Sequence, residues 1–208
     1  PDTVNFDGRT FNLKIRKAPT YNRKNYVTRT ISWILFTLVS IVEVAKMGRF
    51  EAALFSSNPP ILIFAAIFAR LLKKKYGFIV YDIYPDTLVE VGNLGHGNPI
   101  SIFWSFLNRL AYDGSFKMYT LSDSMAQVIK TNYLSKNNLG IEVVTLPLWV
   151  DTVNFNPISK ADNKFLNSLG FAEKFIVLYS GNMGLSHDLK GLLMAALLLR
   201  AEESIAFV

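Results

Sequence analysis

The chain has 208 residues, 50% of them hydrophobic and 18% charged, with a formal net charge of +6, two histidines and no cysteine. This composition excludes a disordered chain, a disulfide framework and a thiolate zinc site, and His96 and His187 alone make an imidazole metal centre a poor reading. The positive balance suits an anionic partner: nucleic acid, lipid headgroups or phosphorylated small molecules.

Residues 1–17 are polar and mixed. Basic side chains crowd this end: Arg9, Lys14, Arg16, Lys17, Arg23, Lys24 and Arg29. Residues 27–46 carry a helical pattern that Gly48 breaks. Within it residues 31–44 (ISWILFTLVSIVEV) are strongly apolar but contain Glu43. A membrane span needs about 20 apolar residues, so this segment reads as a buried or interfacial helix. Residues 52–56 form a short apolar strand ending at Ser57-Asn58-Pro59-Pro60, with proline placed to open a helix over 61–74. Its apolar part, residues 61–72, contains Arg70 and is also too short to span. Lys73-Lys74-Lys75 follows. A solvated basic face is the ordinary reading of such runs. Here they flank very apolar segments and no nucleic-acid motif is present, so an anionic membrane surface is favoured and nucleic acid is not.

Residues 78–83 (FIVYDI) read as a buried strand, 101–112 as a helix and 116–121 as a strand. Ser122 and Asp123 are cap candidates for a helix over 125–134, and 141–146 is a further strand. Pro147-Leu148-Trp149-Val150-Asp151 leads into a polar, turn-rich connection. A short helix (163–169), a strand (175–179), a helix over about 188–202 and the start of a strand at 205 complete the chain. The alternation predicts an α/β fold with parallel sheets covered on both faces. It divides into an N-terminal domain (1–147), an interdomain linker (148–172) and the start of a second domain (173–208). Beginning at Pro1 and ending inside an apolar run, the chain reads as a piece truncated at both ends.

Open α/β sheets bind ligands beyond the carboxyl ends of their strands. Asp82 falls there, with Asp86 just past Pro85. A carboxylate at such a place can take the proton of a hydroxyl, and two nearby carboxylates can push their pKa values apart. The competing roles are a turn cap for Asp82 and a helix cap for Asp86. The residues alone leave Asp82 evenly open and favour the cap for Asp86. Tyr84 and Pro85 stiffen this loop. The loop after Leu121 lies at the same edge. In the third loop (YSGNMGLSHDL), Gly181 and Gly184 allow close backbone approach, and the following helix aims its N-terminus at them. That suits a diphosphate, with Asn182 donating a hydrogen bond and His187 reaching a phosphate oxygen. The alternative is a plain strand-to-helix turn with Asp188 as N-cap.

VYDIYPD, LPLWVDTVNFNP and FIVLYSGNMGLSHDL, in this order and spacing, resemble the retaining glycosyltransferases of family 4, which have the GT-B fold. The bacterial surface-polysaccharide branch that includes N-acetyl-fucosaminyl transferases is the most similar. YNRKNYVTRTISW is also similar to the basic, apolar part of that family's N-terminal domain. The resemblance implies two Rossmann-like domains facing a cleft. It implies a nucleotide-sugar donor whose diphosphate meets Gly181, Asn182, Met183 and Gly184, with His187 beside them. It implies an acceptor domain at the cytoplasmic, inner face of the membrane, with Asp82 near the transferred sugar and Tyr84, Pro85 and Asp86 on the acceptor side. No metal or other cofactor is implied, because helix dipole and basic groups stabilise the leaving diphosphate. The expected activity is transfer of a hexosyl or N-acetylhexosaminyl group to a lipid-linked or glycan acceptor in cell-surface polysaccharide synthesis. The family's first N-terminal strand with its Gly-rich loop and its C-terminal glutamate pair have no counterpart here, so the chain by itself is expected to be inactive. The alternatives are a non-catalytic nucleotide-binding or membrane-associated subunit and a nucleotide-sugar epimerase on the same fold.

Overall fold

The computed structural model describes residues 2–6, 9–13, 25–48, 51–95, 97–135, 140–181, 183 and 187–208. They fall into two compact units, Pro1–Pro147 and Leu148–Val208.

The first unit opens with a hairpin that the polar N-terminal sequence did not announce. Strands β1 (Asp2–Phe6) and β2 (Arg9–Leu13) pair antiparallel, with Asp2 opposite Leu13 and Phe6 opposite Arg9. Helix α1 (Tyr26–Lys46) follows. Asn25 caps it, its side-chain oxygen accepting from the backbone N–H of Val27 at 3.0 Å and of Thr28 at 3.2 Å. The helix buries Ser32, Thr37 and Val44 and packs Phe36 and Ile41 on the core. Its other side exposes Ile31, Ile34, Leu35, Leu38, Val39 and Val42. Two small polar residues, Ser32 and Thr37, thus face the protein while many large aliphatics face out. With 21 residues and a mean hydropathy of 1.6 over its apolar window, α1 is long and apolar enough to cross a membrane by length and composition. The helix meets the length that residues 31–44 alone do not, because it runs beyond the apolar run at both ends.

Four strands then form one parallel sheet in the order β3 (Ala52–Ser56), β4 (Lys75–Val80), β5 (Lys117–Thr120), β6 (Glu142–Thr145). Between β3 and β4 lie a 3-10 turn (Pro60–Leu62) and α2 (Ile63–Leu71). Between β4 and β5 lie α3 (Asp86–Glu90) and α4 (Pro99–Tyr112). Helix α5 (Asp123–Asn132) joins β5 to β6. Of the two cap candidates, Ser122 takes the role, accepting from Met125 N–H at 3.3 Å, and Asp123 sits in the first turn.

Each crossover steps the same way across the sheet, which puts α2, α4 and α5 on one face. There Phe55, Tyr76, Phe78, Val80 and Met118 meet Ile63, Ala66, Ala111, Tyr112 and Ile129. Ala65, Ala66 and Ala69 have no exposed surface; their small side chains let α2 lie close to its neighbours. The alternate strand residues are less enclosed: Leu54 is 56% exposed and Ile79, Tyr119 and Val144 are half-buried. The expectation of helices on both faces thus fails for the described residues. Gly77 lies on this second side, where a Cβ would stand 2.6 Å from the Lys117 carbonyl oxygen, so the close β4–β5 approach requires glycine.

The second unit contains α6 (Lys164–Ser168), β7 (Phe175–Val177), α7 (Leu189–Leu198) and β8 (Ile205–Phe207), with β7 and β8 paired in parallel. Helix α7 is shorter than expected at both ends. Asp188 is its cap rather than its first residue, and a turn in which Glu202 N–H bonds the Leu199 carbonyl leads into β8. The chain is α/β, with a four-stranded parallel sheet and a smaller parallel pair, an arrangement compatible with Rossmann-like units.

Candidate functional site

At the carboxyl end of the larger sheet, Ser57 organises the turn. Its backbone N–H donates to the Ile79 carbonyl at 3.0 Å, continuing the β3–β4 ladder. Its Oγ then accepts from the N–H of Tyr81 at 3.0 Å and of Asp82 at 3.2 Å. Those two amides therefore leave the ladder, and β4 ends at Val80 rather than at residue 83 as the sequence suggested.

This places Asp82 in the turn past the strand, half-exposed. Its carboxylate makes no hydrogen bond or ion pair among the described residues. It does not cap the turn, since Ser57 has that role. Asp82 lines two cavities at once. One is a narrow pocket of about 10 Å³ shared with Ser56, Ser57, Tyr84, Trp104 and Asn108. The other is a cleft of about 710 Å³ walled by α3, α4 and α5, with Asp86, Glu90, Ser105 and Asn132 among its polar groups. A cleft of that size matches ordinary small-molecule sites.

The loop beyond Asp82 is held from several sides. The Tyr84 ring stacks on Trp104 at 5.9 Å between centroids and 18° between planes. The Asn108 side-chain amide donates to the Tyr84 carbonyl. Pro85 is fully buried, and the Tyr84–Pro85 bond is cis, as is Asn58–Pro59. Burial pushes the Tyr84 hydroxyl pKa up, the Asp82 carboxylate adds to this, and the Arg29 cation offsets part of it.

Asp86 has a different occupation. Its carboxylate accepts from the hydroxyl of Tyr133, a buried residue, tying the first turn of α3 to the end of α5. Burial and this hydrogen bond push the Tyr133 hydroxyl well above its ordinary range. Tyr112, fully enclosed, is pushed up by burial and then by Asp86. The N-cap position of α3 is Pro85, without a side-chain hydrogen bond. Asp86 is thus a tie between helices and not the cap its sequence position favoured.

In the second unit, Gly181 and Met183 are exposed, Met183 at 78%. Asn182 and Gly184 lie outside the described residues. His187 precedes α7 by two residues, and its Nδ1 meets the Tyr179 hydroxyl, the rings standing edge to face at 6.0 Å. Asp188 accepts from Gly191 N–H at 3.0 Å. It therefore takes one of the free amides that a bound phosphate can use. The structure thus gathers Asp82, Tyr84, Pro85 and Asp86 in the first unit, and carries Gly181, Met183 and His187 in the second.

Sequence reasoning missed Ser57, Trp104, Asn108 and Tyr133 as parts of this site. Ser57 had a signal, since it heads the Ser-Asn-Pro-Pro turn at a strand end. The other three reach the site only through the packing of α4 and α5. Compared with family models, with curated proteins and with solved structures, the chain matches none.

Proposed function

We propose that the chain is part of a retaining glycosyltransferase of the family 4 type, with the first unit on the acceptor side and the Gly181 loop serving a nucleotide-sugar donor. One observation carries this reading: Asp82, a carboxylate without a structural partner among the described residues, stands past a parallel strand and borders a cleft of about 710 Å³. In the proposed reaction the acceptor oxygen bonds to the sugar's anomeric carbon as the bond from that carbon to the donor phosphate breaks. Asp82 orients the acceptor hydroxyl and receives its proton. The leaving diphosphate is stabilised by backbone amides of the loop before α7, with no metal required. The outward aliphatic face of α1, with the basic residues before it in sequence, meets the anionic headgroups of the inner membrane face. Each basic residue near such a surface contributes about 1 kcal/mol.

The test is to give the full-length protein a panel of nucleotide-sugars with lipid-linked and glycan acceptors, and to read nucleoside diphosphate release and the anomeric configuration of the product. Release tied to acceptor, with retention, supports the reading. Conversion of donor without acceptor points to an epimerase. A second reading is favoured by a specific observation: Asp188 and the Tyr179–His187 contact occupy groups that a donor would use. A non-catalytic, membrane-associated subunit of this fold would show no donor binding, and a nucleotide-binding one would bind donor without turnover.

A further inference from the structure

The cleft of about 710 Å³ beside Asp82 is charged opposite to the chain that forms it. The chain carries a formal net charge of +6. Yet Asp82, Asp86 and Glu90 line the cleft, and no lysine, arginine or histidine does among the described residues. The three carboxylates are not equivalent. Asp86 is engaged by the Tyr133 hydroxyl. Asp82 and Glu90 bracket α3, one before it and one at its end, and neither makes a hydrogen bond or ion pair among the described residues. An anion placed here meets two unpaired carboxylates and no cation to offset them. The cleft therefore selects against phosphates and acidic sugars and in favour of a positive charge.

The remaining lining says which cation. Among the described residues no three acidic or histidine side chains come close enough to hold a metal ion, so the negative charge is spread along the wall and suits a larger organic cation. The neighbouring hydroxyls have their protons committed. Thr87 donates to the Ile83 carbonyl at 3.1 Å and Ser101 to the Asn98 carbonyl at 2.8 Å, which leaves both as acceptors toward a ligand. Met125 and Val128 add apolar surface from α5. Carboxylates and hydroxyl acceptors beside an apolar strip call for a molecule rich in donors that also has apolar faces. A sugar ring has hydroxyl donors and apolar faces, and a free amino group adds the charge. A linear polyamine would satisfy the carboxylates alone.

We infer that the cleft binds a glycan bearing free amino groups, with ammonium on Asp82 and Glu90 and ring hydroxyls donating to Thr87 and Ser101. That this glycan is the acceptor of sugar transfer rests on the transferase reading. The charge preference of the cleft does not.

The experiment is calorimetric titration of the full-length protein, without donor and in mildly acid buffer that keeps amines charged. The probes are the disaccharide of glucosamine, its di-N-acetyl form and spermidine. The glucosamine disaccharide binds at least about tenfold more tightly than the acetylated form, which keeps the ring and loses the charge. Added salt narrows that difference. Asp82→Asn weakens the glucosamine disaccharide by about tenfold and Glu90→Gln, at the exposed rim, by about threefold. Neither substitution changes binding of the acetylated form, and neither removes a bond that the fold uses. Equal affinity for the two disaccharides overturns the inference, as does an unchanged affinity for the glucosamine disaccharide in both variants. Spermidine binding as tightly as the glucosamine disaccharide also overturns it, because charge alone would then account for the cleft. Sugar transfer to neutral glycans with no preference for the amine removes this inference and keeps the transferase. Binding of the glucosamine disaccharide that is sensitive to both substitutions, without turnover of any donor, keeps the inference and removes the transferase.

Discussion

Both units place a helix between parallel strands, yet they enclose apolar surface very differently. In the first, Phe78 is 1% exposed, with ring contacts at 5.9 Å to Phe55, 6.0 Å to Tyr76 and 4.9 Å to Tyr112. In the second, Ala206 is the one buried hydrophobic residue among those described, while Phe175, Leu178, Leu193 and Leu198 are exposed. Two strands and a helix give too little surface to cover one another, whereas four strands under three helices surround a core. The difference bears on function. Asp82 stands on a scaffold braced by Ser57, Asn108 and Trp104, while the Gly181 loop stands on an open two-stranded pair.

The sharpest way to break this contrast is to truncate one aromatic in each unit. Phe78→Ala removes the centre of an aromatic cluster and costs about 3–5 kcal/mol, whereas Phe175→Ala, on an exposed strand position, stays within about 0.5 kcal/mol. Urea denaturation of both variants checks this, and equal losses would erase the distinction.

Per group, alkali gives the next largest effect. Tyr76 is buried and donates to the Ala111 carbonyl at 2.7 Å, and its pKa is pushed up from 10.0 to about 12, chiefly by burial. Tyr112 and Tyr133 are pushed up as well. A folded-state pKa above the unfolded value gives stability that is complete below pH 10 and lost as pH rises through the folded value. The first unit should therefore lose about 1.4 kcal/mol per pH unit for each such tyrosine above pH 10, and Tyr76 alone sets a window up to pH 12. Melting temperatures across pH 8 to 12 test this, and a flat profile would contradict the burial of these hydroxyls.

A smaller effect is expected at the turn. Ser57→Ala leaves the amides of Tyr81 and Asp82 without their acceptor and costs about 1–3 kcal/mol. Hydrogen exchange should accelerate at those two amides and not in the β3–β4 ladder. The smallest effect lies in the second unit. Asp151 accepts from Val153 N–H and Asn154 N–H, each at 3.0 Å, and these bonds, with one from the Asn154 side chain, hold its carboxyl below the usual range. A depressed carboxyl contributes order that is present above the unfolded pKa and is lost as pH falls through the folded one. Asp151→Ala should mimic that loss at neutral pH, as faster proteolysis near Asp151 without a change in overall melting.

Much of the element order was legible, because apolar runs bounded by Pro, Gly and Asn mark strands and helices regardless of what covers them. FIVYDI announced β4 but misplaced its ends. Lys75 joins the strand through its backbone pairing with Ala52, and the Tyr81 and Asp82 amides are drawn off by Ser57. The hairpin of β1 and β2 went unread because its strands are polar and short. Periodicity marked α1 as a helix, but hydropathy does not tell which side the protein covers: Ser32 and Thr37 face the core while Ile34 and Leu38 do not. The site was half legible. Asp82 follows from its place after a strand. The bonds that free it and engage Asp86 join residues 25 and 47 positions apart, and no local pattern encodes them.

The most direct test of the central claim is Asp82→Asn in the full-length protein, with sugar transfer and donor binding measured side by side. Transfer abolished with donor affinity unchanged is the outcome this account predicts, because the substitution removes a proton acceptor in the first unit and leaves the Gly181 loop untouched. Undiminished turnover in Asp82→Asn would contradict it and return Asp82 to the role of an ordinary surface carboxylate.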